Sequence, residues 1–591
     1  MIAPGTVLLH DNSATAGRSL LFENPERVLT TRDPVMALAL IEEAETVLRD
    51  GWHVAGYLSY ELGLCFEERL SPLLPGLSSR PLLWLGVFDA PRELTQAEAA
   101  DWLKSQRSGD GAEISEVELG VSRADYGTAF RRVMDYIHAG DVYQINLTFP
   151  ARFRVTGDPV ALYLDLCRKQ PVAHGAFVRT ASETVLSLSP ELFIESRAGR
   201  IVTRPMKGTI RRGRDAAEDE ALKTSLHDDE KSRAENLMIV DLLRNDLGRV
   251  AEMGSVDVTR LFEVETYKSL HTMTSTIEAQ LRPDACFGTI LRALFPCGSV
   301  TGAPKIRAMQ IIHELETGPR GIYCGSIGHA APSGDFAWNV AIRTVRIDRD
   351  GQAEIGIGGG VVADSHADAE YDEALLKLKF LREPHAPFGL IETLRWDDSG
   401  FVLLERHLDR LDVSATFFEI GMDREHIRAS LSAAVEGLPS PQRVRLVLHD
   451  TGELEITTAP LQPLERLRFV VADERMDTGD PLLRHKTTRR ALYDAPRERA
   501  AEAYAVGEVV FLNERGELTE GSFTNLFVER GGKLVTPALS SGLLPGTLRA
   551  ELIAGGRAEE GVLTLDDLET AARIFLGNSV RGLVPAEWVR P

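Results

Sequence analysis

Apolar and polar positions alternate most regularly between about Tyr126 and Leu381, and a second set of strand-like and helix-like segments begins at Phe388. The short Pro-containing stretch 382–387 between them predicts a linker. We therefore expect two domains, residues 1–381 and 388–591, since a chain of 591 residues is too long for one core. The residues before about 120 are less informative, with a strand predicted over 56–63 and turns around 71–83.

The segment 231–251 has apolar residues on more than one helical face, which predicts a buried helix. These residues are Leu237, Ile239, Val240, Leu242, Leu243 and Leu247. Glu235 stands near the start of this helix. It is either an acidic first-turn residue that interacts with the helix dipole or a ligand for a metal ion.

A second predicted helix, 368–381, places Glu370, Glu373 and Lys377 on one stripe, because they are spaced i, i+3 and i+7. One interpretation is a solvated face with an ion pair between Glu373 and Lys377. The other is a Mg²⁺ site, because this hard cation takes one or two carboxylates from separate elements together with water and substrate oxygens. Glu235 and this stripe together supply such carboxylates.

Two glycine-containing segments present free backbone N–H groups. In 298–309 a Gly-rich turn precedes Pro304, where a helix is expected to begin. The turn could receive an anion, or Thr301 could cap an ordinary helix. The segment 356–365 permits close backbone approach but lacks the spacing of a dinucleotide fingerprint and has no Walker lysine.

The composition limits the environment and the partners. The chain has 66 basic and 88 acidic residues, a net charge of −22, and no basic stripe typical of nucleic-acid binding. The five cysteines form no CxxC pair, the first residues do not resemble a signal peptide, and no apolar run is long enough to span a membrane. We therefore expect a cytoplasmic protein in which a few placed cations hold any anionic substrate.

Eight ordered motifs resemble the chorismate-utilising enzymes, a family that includes anthranilate synthase, isochorismate and salicylate synthases and aminodeoxychorismate synthase component I. They are IHAGDVYQINL (137–147), SLSPELFI (187–194), RPMKGT (204–209), RAENLMIVDLLRNDLGRVA (233–251), FPCGSVTGAPKIRAM (295–309), CGSIG (324–328), NVAIRT (339–344) and GGGVVADS with AEYDE (358–373). The resemblance implies an α/β sandwich that binds chorismate.

Two positions distinguish reactions within this family. Isochorismate-forming members have a lysine that activates water at C2, but the matching residue here is Gln144, which cannot act as a base at neutral pH. Anthranilate synthases have alanine in the PIAGT motif, whereas this chain has Lys207, where component I uses a nucleophilic amine. The resemblance therefore implies amination at C4.

The other roles are carried over from the family by position. Glu191 would be the general acid, Glu235 and Glu373 would hold Mg²⁺ with Glu370 acting through water, and Arg343 and Lys377 would bind the substrate carboxylates. The residues expected to line the pocket are Gly208, Thr209, Thr301, Gly358, Gly359 and Gly360. The family histidine aligns with His271 or with Thr272, and His329 stands where many members have tyrosine.

The second domain contains FGLIETLR, RHLDRL (406–411), HKTTRRALYD (485–494), LTEGSFTNLF (518–527), GLLPGTLR (542–549) and GNSVRGLVP (577–585). Pyridoxal 5'-phosphate needs a lysine, a partner for its ring nitrogen and an anion cradle. The candidates are Lys486, Glu520, and Arg410 with the turn at Gly546-Thr547. Taken alone, Lys486 among Arg484, Arg489 and Arg490 is typical of a basic surface.

Together these motifs resemble the fold-type IV pyridoxal-phosphate enzymes, which include aminotransferases and 4-amino-4-deoxychorismate lyase. The resemblance implies a two-subdomain α+β fold, and GNSVRGLVP is more similar to the lyases. The chain lacks the family's usual first strand and its Asp-Arg turn. The substrate loop that some lyases have reads LVLHDTGELEI here (446–456), which leaves the substrate-side residues unassigned.

The combined resemblance implies an α+β enzyme that makes 4-aminobenzoate, a folate precursor, in two steps. Chorismate and ammonia would give 4-amino-4-deoxychorismate, from which pyruvate would then be eliminated. No glutaminase region is recognised, so ammonia would come from a glutamine amidotransferase subunit or from solution; a homodimer through the second domain remains open. The alternatives are an anthranilate synthase component fused to an aminotransferase and a C-terminal domain that is only structural.

Overall fold

The computed structural model describes residues 2–13, 17–74, 80–109, 111–213, 216–267, 270–382, 388–418 and 420–590. The chain divides into two compact units, Met1–Ile210 with Ser225–His385, and Arg211–Thr224 with Ala386–Pro591. The sequence pattern did not anticipate that Arg211–Thr224 would group with the C-terminal residues. Of the predicted linker 382–387, residues 383–387 lie outside the described residues. None of the described helices is long and apolar enough to cross a membrane.

The strands of the N-terminal part form two sheets that are built from antiparallel neighbours. Their bounds are β1 Thr6–His10, β2 Ser19–Phe22, β3 Arg27–Thr31, β4 His53–Leu58, β5 Leu83–Phe88, β6 Arg92–Leu94, β7 Ala112–Ile114, β8 Glu118–Leu119, β9 Gln144–Gly157, β10 His174–Arg179, β11 Glu183–Ser189, β12 Leu192–Arg197, β13 Arg200–Arg204, β14 Met206–Arg211, β15 Asp257–Thr266, β16 Leu270–Gln280, β17 Gly302–Ala303, β18 Ser326–Ala330, β19 Phe336–Asn339, β20 Thr344–Asp348 and β21 Gln352–Val361.

The helices of this part lie between these strands in the chain and follow the last of them. Their bounds are α1 Pro34–Arg49, α2 Leu62–Cys65, α3 Gln96–Ser105, α4 Arg123–His138, α5 Pro159–Lys169, α6 Ala216–Asp228, α7 Glu230–Gly248, α8 Phe287–Leu294, α9 Lys305–Leu315, α10 Ala367–Leu376 and α11 Lys379–Arg382.

The two sheets pack against each other and are covered by helices on their outer faces. The first sheet has the order β17-β9-β21-β20-β11-β10-β1-β2-β6, with β7 and β8 paired to β9; the second has the order β14-β16-β13-β12-β19-β18-β4-β5-β3, with β15 paired to β16. An apolar cluster that includes Val7, Phe22, Tyr57 and Trp84 joins the sheets. A second cluster packs α1, α7 and α8 on one sheet, and a third packs α3, α4, α5, α9 and α10 on the other. The α/β sandwich is confirmed.

Two local predictions need correction. Helix α7 is amphipathic and not buried all round: Ile239, Val240 and Leu243 are buried, but Leu237 is 45% exposed. Polar residues that recur on the outer face leave that face to solvent. The strand predicted over 56–63 ends at Leu58, and Leu62 begins the short helix α2.

The C-terminal part has a smaller and a larger sheet. Its strands are β22 Gly389–Asp397, β23 Gly400–Phe401, β24 Gln442–His449, β25 Leu454–Pro460, β26 Leu467–Met476, β27 Glu508–Asn513, β28 Leu518–Gly521, β29 Asn525–Arg530, β30 Lys533–Pro537, β31 Ala558–Gly561, β32 Arg573–Asn578 and β33 Gly582–Trp588. Its helices are α12 Leu404–Phe417, α13 Arg424–Val435, α14 Ala491–Tyr504, α15 Thr547–Ala554 and α16 Leu565–Thr570.

Each sheet of this unit has its own core, which gives two subdomains. The smaller sheet, in the order β23-β22-β24-β25, packs one face on α12 and α13. The larger sheet, in the order β28-β27-β26-β33-β32-β29-β30-β31, has separate apolar clusters on its two sides. The expected α+β fold class is confirmed for both parts of the chain.

Candidate functional sites

The glycines of β21 form a surface without side chains in the first unit. Gly359 and Gly360 pair with Leu147 and Asn146 of β9. A Cβ at Gly360 would lie 2.8 Å from Gln144 Nε2 and 3.0 Å from Lys207 Nζ. The glycine run therefore brings two predicted site residues from different sheets to one point. The phosphate loop considered for 356–365 is instead a strand over its first six residues.

Gln144 stands at the start of β9 with its side chain buried. Neither its Nε2 nor its Oε1 has a hydrogen-bond partner among the described residues. A buried amide normally satisfies both atoms, and leaving them unpaired costs roughly 1–3 kcal/mol each. The unpaired amide beside Lys207 therefore indicates a place where a polar ligand completes the hydrogen bonding.

Glu191 is the buried acid of this region. Burial raises its pKa to about 7, and Ser299, Lys207 and Arg343 act in the opposite direction. Its Oε1 has no hydrogen-bond partner among the described residues. A carboxyl group that is about half protonated near neutral pH is suited to general acid catalysis.

Two cations suited to substrate carboxylates also lie here. Arg343 has a φ of 50°, which is unusual for a residue with a side chain, and such strain concentrates at functional sites. Burial lowers its pKa to about 10, so the guanidinium remains charged at neutral pH. Lys377 Nζ donates to Gly358 O at 2.7 Å and pairs with Glu373 at 2.9 Å. The ion pair expected within the stripe is thus present, close to the glycine surface.

Three carboxylates influence one another across two helices. A Cβ at Gly359 would lie 3.2 Å from Glu370 Oε2 and 3.8 Å from Glu373 Oε1. Burial raises the pKa of Glu235. The charges of Lys207 and Lys231 act to lower this pKa, whereas the charges of Glu370 and Glu373 raise it further. Burial also raises the pKa of Glu370, and the negative charge of Glu373 acts in the same direction. Burial alone would raise that of Glu373 too, but Lys377 lowers it.

The three carboxylates are the type of ligand that Mg²⁺ prefers, because it is a hard cation that binds oxygen donors. A divalent cation would also reduce the repulsion between their negative charges. Within the part of the chain that the structure describes, no cluster of three or more such side chains is drawn together closely enough to hold a metal by itself. The metal assignment therefore stays a prediction, for which Glu235, Glu370 and Glu373 are the candidates.

Thr301 is fully buried but does not cap helix α9. Its hydroxyl donates to Cys297 O at 3.2 Å and to Gly298 O at 3.1 Å, which closes the preceding 3-10 turn. Pro304 occupies the N-cap position of α9 without a side-chain cap. The cap prediction is wrong because the Gly302-Ala303 strand separates Thr301 from the helix. This strand pairs with the start of β9, which places Thr301 beside the Gln144 segment.

The remaining predicted residues differ in their surroundings. Gly208 has a φ of 80°, and its carbonyl accepts a 3.0 Å hydrogen bond from Thr272 Oγ1. His271, by contrast, has its Nδ1 3.1 Å from Thr266 Oγ1. Of the two residues that aligned with the family histidine, Thr272 thus contacts the Lys207 segment directly. The Thr209 side chain is exposed, and His329 packs against Phe22 between the two sheets.

Sequence reasoning missed the network that holds the Thr301 turn against β9. Arg320 Nη1 donates to Val300 O at 2.8 Å, and its Nη2 donates to Asn146 O at 2.6 Å. The same guanidinium pairs with Glu316 at 2.7 Å, and Glu316 accepts from Thr148. No local pattern marks Arg320, because Val300 and Asn146 are 20 and 174 positions away along the chain.

In the second unit Lys486 is partly buried. Burial and, to a smaller extent, the charge of Arg410 lower its pKa to about 7. Its Nζ is 3.4 Å from Thr393 Oγ1 on β22. Lys486 is therefore not part of a basic surface, although Arg489 nearby is exposed. A lysine that is partly neutral near pH 7 can react with an aldehyde.

Glu520 is buried at the end of β28, and burial raises its pKa to about 8. Its Oε1 accepts hydrogen bonds from Leu544 N at 3.0 Å and from Tyr493 OH at 3.2 Å. Asn525 Nδ2 donates to Oε2 at 3.4 Å. These neutral donors leave the carboxylate suited to a protonated ring nitrogen, whose positive charge would lower that pKa.

Arg410 is fixed by a buried carboxylate that we did not single out from the sequence. Its Nε donates to Glu392 Oε1 at 2.9 Å and its Nη2 donates to Oε2 at 2.6 Å. Although burial alone would raise it, Arg410 and His407 hold the pKa of Glu392 at about 2. Such a bidentate pair is rigid and charged. Both Glu392 and His407 lie inside motifs that the sequence had marked, FGLIETLR and RHLDRL.

At the Gly546-Thr547 turn the backbone lies very close to the Asn525 side chain. Gly546 is the N-cap of α15, and a Cβ there would lie 1.7 Å from Asn525 Oδ1. Any side chain would therefore displace either the turn or Asn525. Thr547 begins the helix, where backbone N–H groups are free to bind an anion.

The residues of the second unit fit pyridoxal phosphate. Lys486 is an amine of lowered pKa, Glu520 is a buried acid with neutral partners, and the N-terminus of α15 lies in a glycine-dependent turn. Arg410 supplies a fixed cation. These four features are the ones that the cofactor requires.

Comparison with known proteins identifies a family for each part of the chain. Residues 8–383 match the chorismate binding enzyme family, and residues 389–588 match the amino-transferase class IV family. The chain is 37% identical over 382 residues to aminodeoxychorismate synthase component 1 of Escherichia coli K12, which covers 61% of this chain and 84% of that protein. It is 40% identical over 260 residues to anthranilate synthase component 1 of Aquifex aeolicus, which covers 44% of this chain and 52% of that protein.

A solved structure supports the fold of the first unit. Anthranilate synthase component I from Streptococcus pneumoniae is 27% identical, with a TM-score of 0.53 over 63% of this chain and 93% of the other. The resemblances inferred from the motifs are thus confirmed. The chain belongs to the chorismate binding enzyme family, and its last third carries the sequence of the amino-transferase class IV family.

Proposed function

We propose that this enzyme converts chorismate and ammonia into 4-amino-4-deoxychorismate in its first unit and then into 4-aminobenzoate and pyruvate in its second. The observation that carries the proposal is the Lys207 amine, which lies beside the unpaired Gln144 amide over the glycines of β21. The name of the 37% identical relative, aminodeoxychorismate synthase component 1, supports the first step.

In the first step Lys207 Nζ forms a bond to C2 of chorismate. The ring electrons shift, the C4–O bond breaks, and Glu191 donates the proton with which the hydroxyl leaves as water. Ammonia then bonds to C4, the electrons shift back, and the C2–N bond to Lys207 breaks. Glu191 takes up the proton that ammonia loses, so the acid and the amine are both regenerated.

Gln144 favours amination of chorismate over the addition of water at C2. Its amide has no basic lone pair at neutral pH, so it orients a nucleophile without activating water. Arg343 and Lys377 bind the two carboxylates of the substrate, and the glycines leave room for the ring. Mg²⁺, held by Glu235 and Glu373 directly and by Glu370 through water, would neutralise a substrate carboxylate.

The second step needs pyridoxal phosphate, which supplies an electron sink when it is bound. Lys486 would hold this cofactor, Glu520 would pair with its ring nitrogen, and Arg410 with Gly546 and Thr547 would bind its phosphate. Lys486 also removes the proton from C4 of aminodeoxychorismate. The C3–O bond then breaks, the enolpyruvate that leaves takes up the proton held by Lys486 to become pyruvate, and the ring becomes aromatic.

Arg445 is the residue we propose for a carboxylate of the second substrate. It lies directly opposite Thr393 across the β22–β24 pair, and its charge contributes to the lowered pKa of Lys486. Its side chain is exposed and makes no hydrogen bond or ion pair with the rest of the described chain. A cation without a partner beside the reactive lysine suits a dicarboxylate.

Ammonia, we propose, comes from a glutamine amidotransferase subunit, with ammonium salt as a substitute in the test tube. The printed name of the relative, component 1, supports the existence of a second component.

The decisive experiment supplies chorismate, Mg²⁺, ammonium and pyridoxal phosphate to the full chain and identifies the products. We expect 4-aminobenzoate and pyruvate in equal amounts. Omission of pyridoxal phosphate should leave aminodeoxychorismate as the end product. Anthranilate as the aromatic product would overturn the first assignment, and accumulation of aminodeoxychorismate in the complete mixture would overturn the second.

A further inference from the structure

His407 in α12 joins several parts of the predicted phosphate cradle, although none of the roles assigned above uses it. The side chain is almost completely buried. Its Nδ1 is 2.5 Å from Glu392 Oε2. Its Nε2 is 2.8 Å from Ser579 Oγ and 3.3 Å from Thr547 Oγ1. One ring thus connects the smaller sheet to the helix start and to the GNSVRGLVP turn.

The partners fix the tautomer of this histidine. Glu392 is ionised and can only accept hydrogen bonds, so His407 Nδ1 carries a hydrogen and donates it. Burial lowers the pKa of His407, which keeps the ring neutral and makes Nε2 an acceptor. A hydroxyl must therefore donate to Nε2, and Ser579 has the shorter distance.

This arrangement determines where the other hydroxyl hydrogen can point. When Ser579 donates to Nε2, the Thr547 hydrogen is not needed by the ring and is available to an anion. Thr547 is the first residue of α15, where the free backbone N–H groups would bind the same anion. Arg410 is held by the same Glu392 that fixes His407. A single carboxylate thus orders both the cation and the hydroxyls.

We propose that His407 is a positioning residue for the phosphate of the cofactor. By accepting from Ser579 through Nε2, it leaves the Thr547 hydroxyl hydrogen free for a phosphate monoester, and by donating to Glu392 through Nδ1 it fixes the carboxylate that orients the Arg410 guanidinium. It does not contact the reacting atoms. The inference rests on the proposed binding of pyridoxal phosphate.

The test compares ligands with and without the phosphate. Spectroscopic titration gives the dissociation constants of pyridoxal phosphate and of pyridoxal, and inorganic phosphate serves as a competitor. For His407→Phe, which keeps the ring bulk but removes both nitrogens, we expect pyridoxal phosphate to bind roughly tenfold to a hundredfold more weakly, as for a lost hydrogen bond to a charged group. Pyridoxal should bind as in the wild type, and inorganic phosphate should compete less well.

Two conservative variants separate the two nitrogens. His407→Gln can keep an acceptor near the Nε2 position, whereas His407→Asn can keep only a donor near Nδ1. We expect His407→Gln to restore most of the affinity for pyridoxal phosphate and His407→Asn to behave like His407→Phe. This pair decides the question even if His407→Phe fails to fold.

The outcomes are distinguishable. An equal loss of affinity for pyridoxal phosphate and pyridoxal would mean that His407 only supports the fold, which would overturn the proposal. Unchanged affinity in His407→Phe would do the same. If the wild type itself binds no pyridoxal phosphate, the cofactor assignment fails first.

Discussion

Glu191 and Lys486 have pKa values close to 7 that are reached from opposite directions. Burial is the first cause in both cases, since it disfavours the charged form of either group. The acid of the first unit can therefore donate a proton, and the amine of the second can attack or accept one, at the same neutral pH. We therefore expect the amination in the first unit and the attachment of the cofactor in the second to depend on pH in opposite directions.

For the amination step we expect kcat/KM to fall as pH rises through about 7. The raised pKa means that Glu191 carries its proton below this pH and loses it above. Glu191→Gln should remove this pH dependence and lower the rate roughly a hundredfold to ten-thousandfold. The initial rate of aminodeoxychorismate formation should be measured at a constant concentration of free ammonia, because ammonium also titrates.

The matched control for this measurement is Glu195→Gln in β12, the strand that begins directly after Glu191. Glu195 is partly exposed and pairs with Arg197. Its replacement should leave the pH profile unchanged. A Glu191→Gln enzyme that retains the wild-type profile would exclude Glu191 as the acid.

Lys207→Ala should abolish amination of chorismate, because the nucleophile is removed, and should leave conversion of supplied aminodeoxychorismate intact. Product analysis with each substrate in turn measures both steps. Lys104→Ala, at a side chain that is 66% exposed, is the control and should retain both activities. Loss of both steps in Lys207→Ala would contradict separate sites.

Pyridoxal phosphate should attach to the protein faster as pH rises through about 7. The lowered pKa means that the Lys486 amine becomes neutral, and so nucleophilic, above this pH. The rate of attachment can be followed by absorbance, and borohydride reduction followed by mass spectrometry should locate the label. Lys486→Ala should take up no label, whereas Lys533→Ala, at a 70% exposed side chain, should be labelled normally.

At the scale of elements, β21 and β9 form the base of the first site. Their register places Gly358, Gly359 and Gly360 opposite Thr148, Leu147 and Asn146. Because Gln144, Lys207 and the two glutamates of α10 all reach these glycines, we expect the substrate to lie against this strand. A methyl group on this strand would take up part of that space.

Gly360→Ala should weaken the amination more than Gly359→Ala. Its Cβ would press on Gln144 and Lys207 at 2.8 and 3.0 Å, whereas that of Gly359 would meet its neighbours at 3.2 to 3.8 Å. Gly318→Ala, where a Cβ meets nothing within 4 Å, is the control. Steady-state kinetics with chorismate measures the effect, and thermal unfolding checks the fold. Equal activity in Gly360→Ala and Gly318→Ala would exclude this strand from the site.

The sequence predicted those features whose determinants are close together in the chain. The stripe of Glu370, Glu373 and Lys377 follows from helical spacing, and its ion pair is present. The Thr301 cap was wrong, because a two-residue strand that pairs with β9 intervenes before α9. Arg320 could not be predicted, since its partners are brought to it only by the folded sheet.

At the scale of the whole molecule, the chain carries a net charge of −22 and acts on an anionic substrate. The long-range field repels such a substrate, so we expect binding to depend on a few local cations, for which Arg343 and Lys377 are the candidates in the first unit. The chain also passes between its two units after Ile210 and after Thr224. The two activities therefore belong to units that are not simply consecutive in the sequence.

Removal of each cofactor should stop one activity only. A chelator should abolish amination, because the carboxylates of Glu235, Glu370 and Glu373 would remain unneutralised, and added Mg²⁺ should restore it. Conversion of supplied aminodeoxychorismate should be unaffected by the chelator and should depend on pyridoxal phosphate. Full amination in the presence of the chelator would exclude the metal.

Strand β22 ties two parts of the second site to one another. Glu392 and Thr393 are neighbours, so their side chains leave opposite faces of the sheet, one towards Arg410 and His407 and the other towards Lys486. An insertion or deletion of one residue just before them would reverse both directions at once. Length variation among natural relatives should therefore be confined to the Asp397–Gly400 turn, and this strand should change over evolution only by substitution.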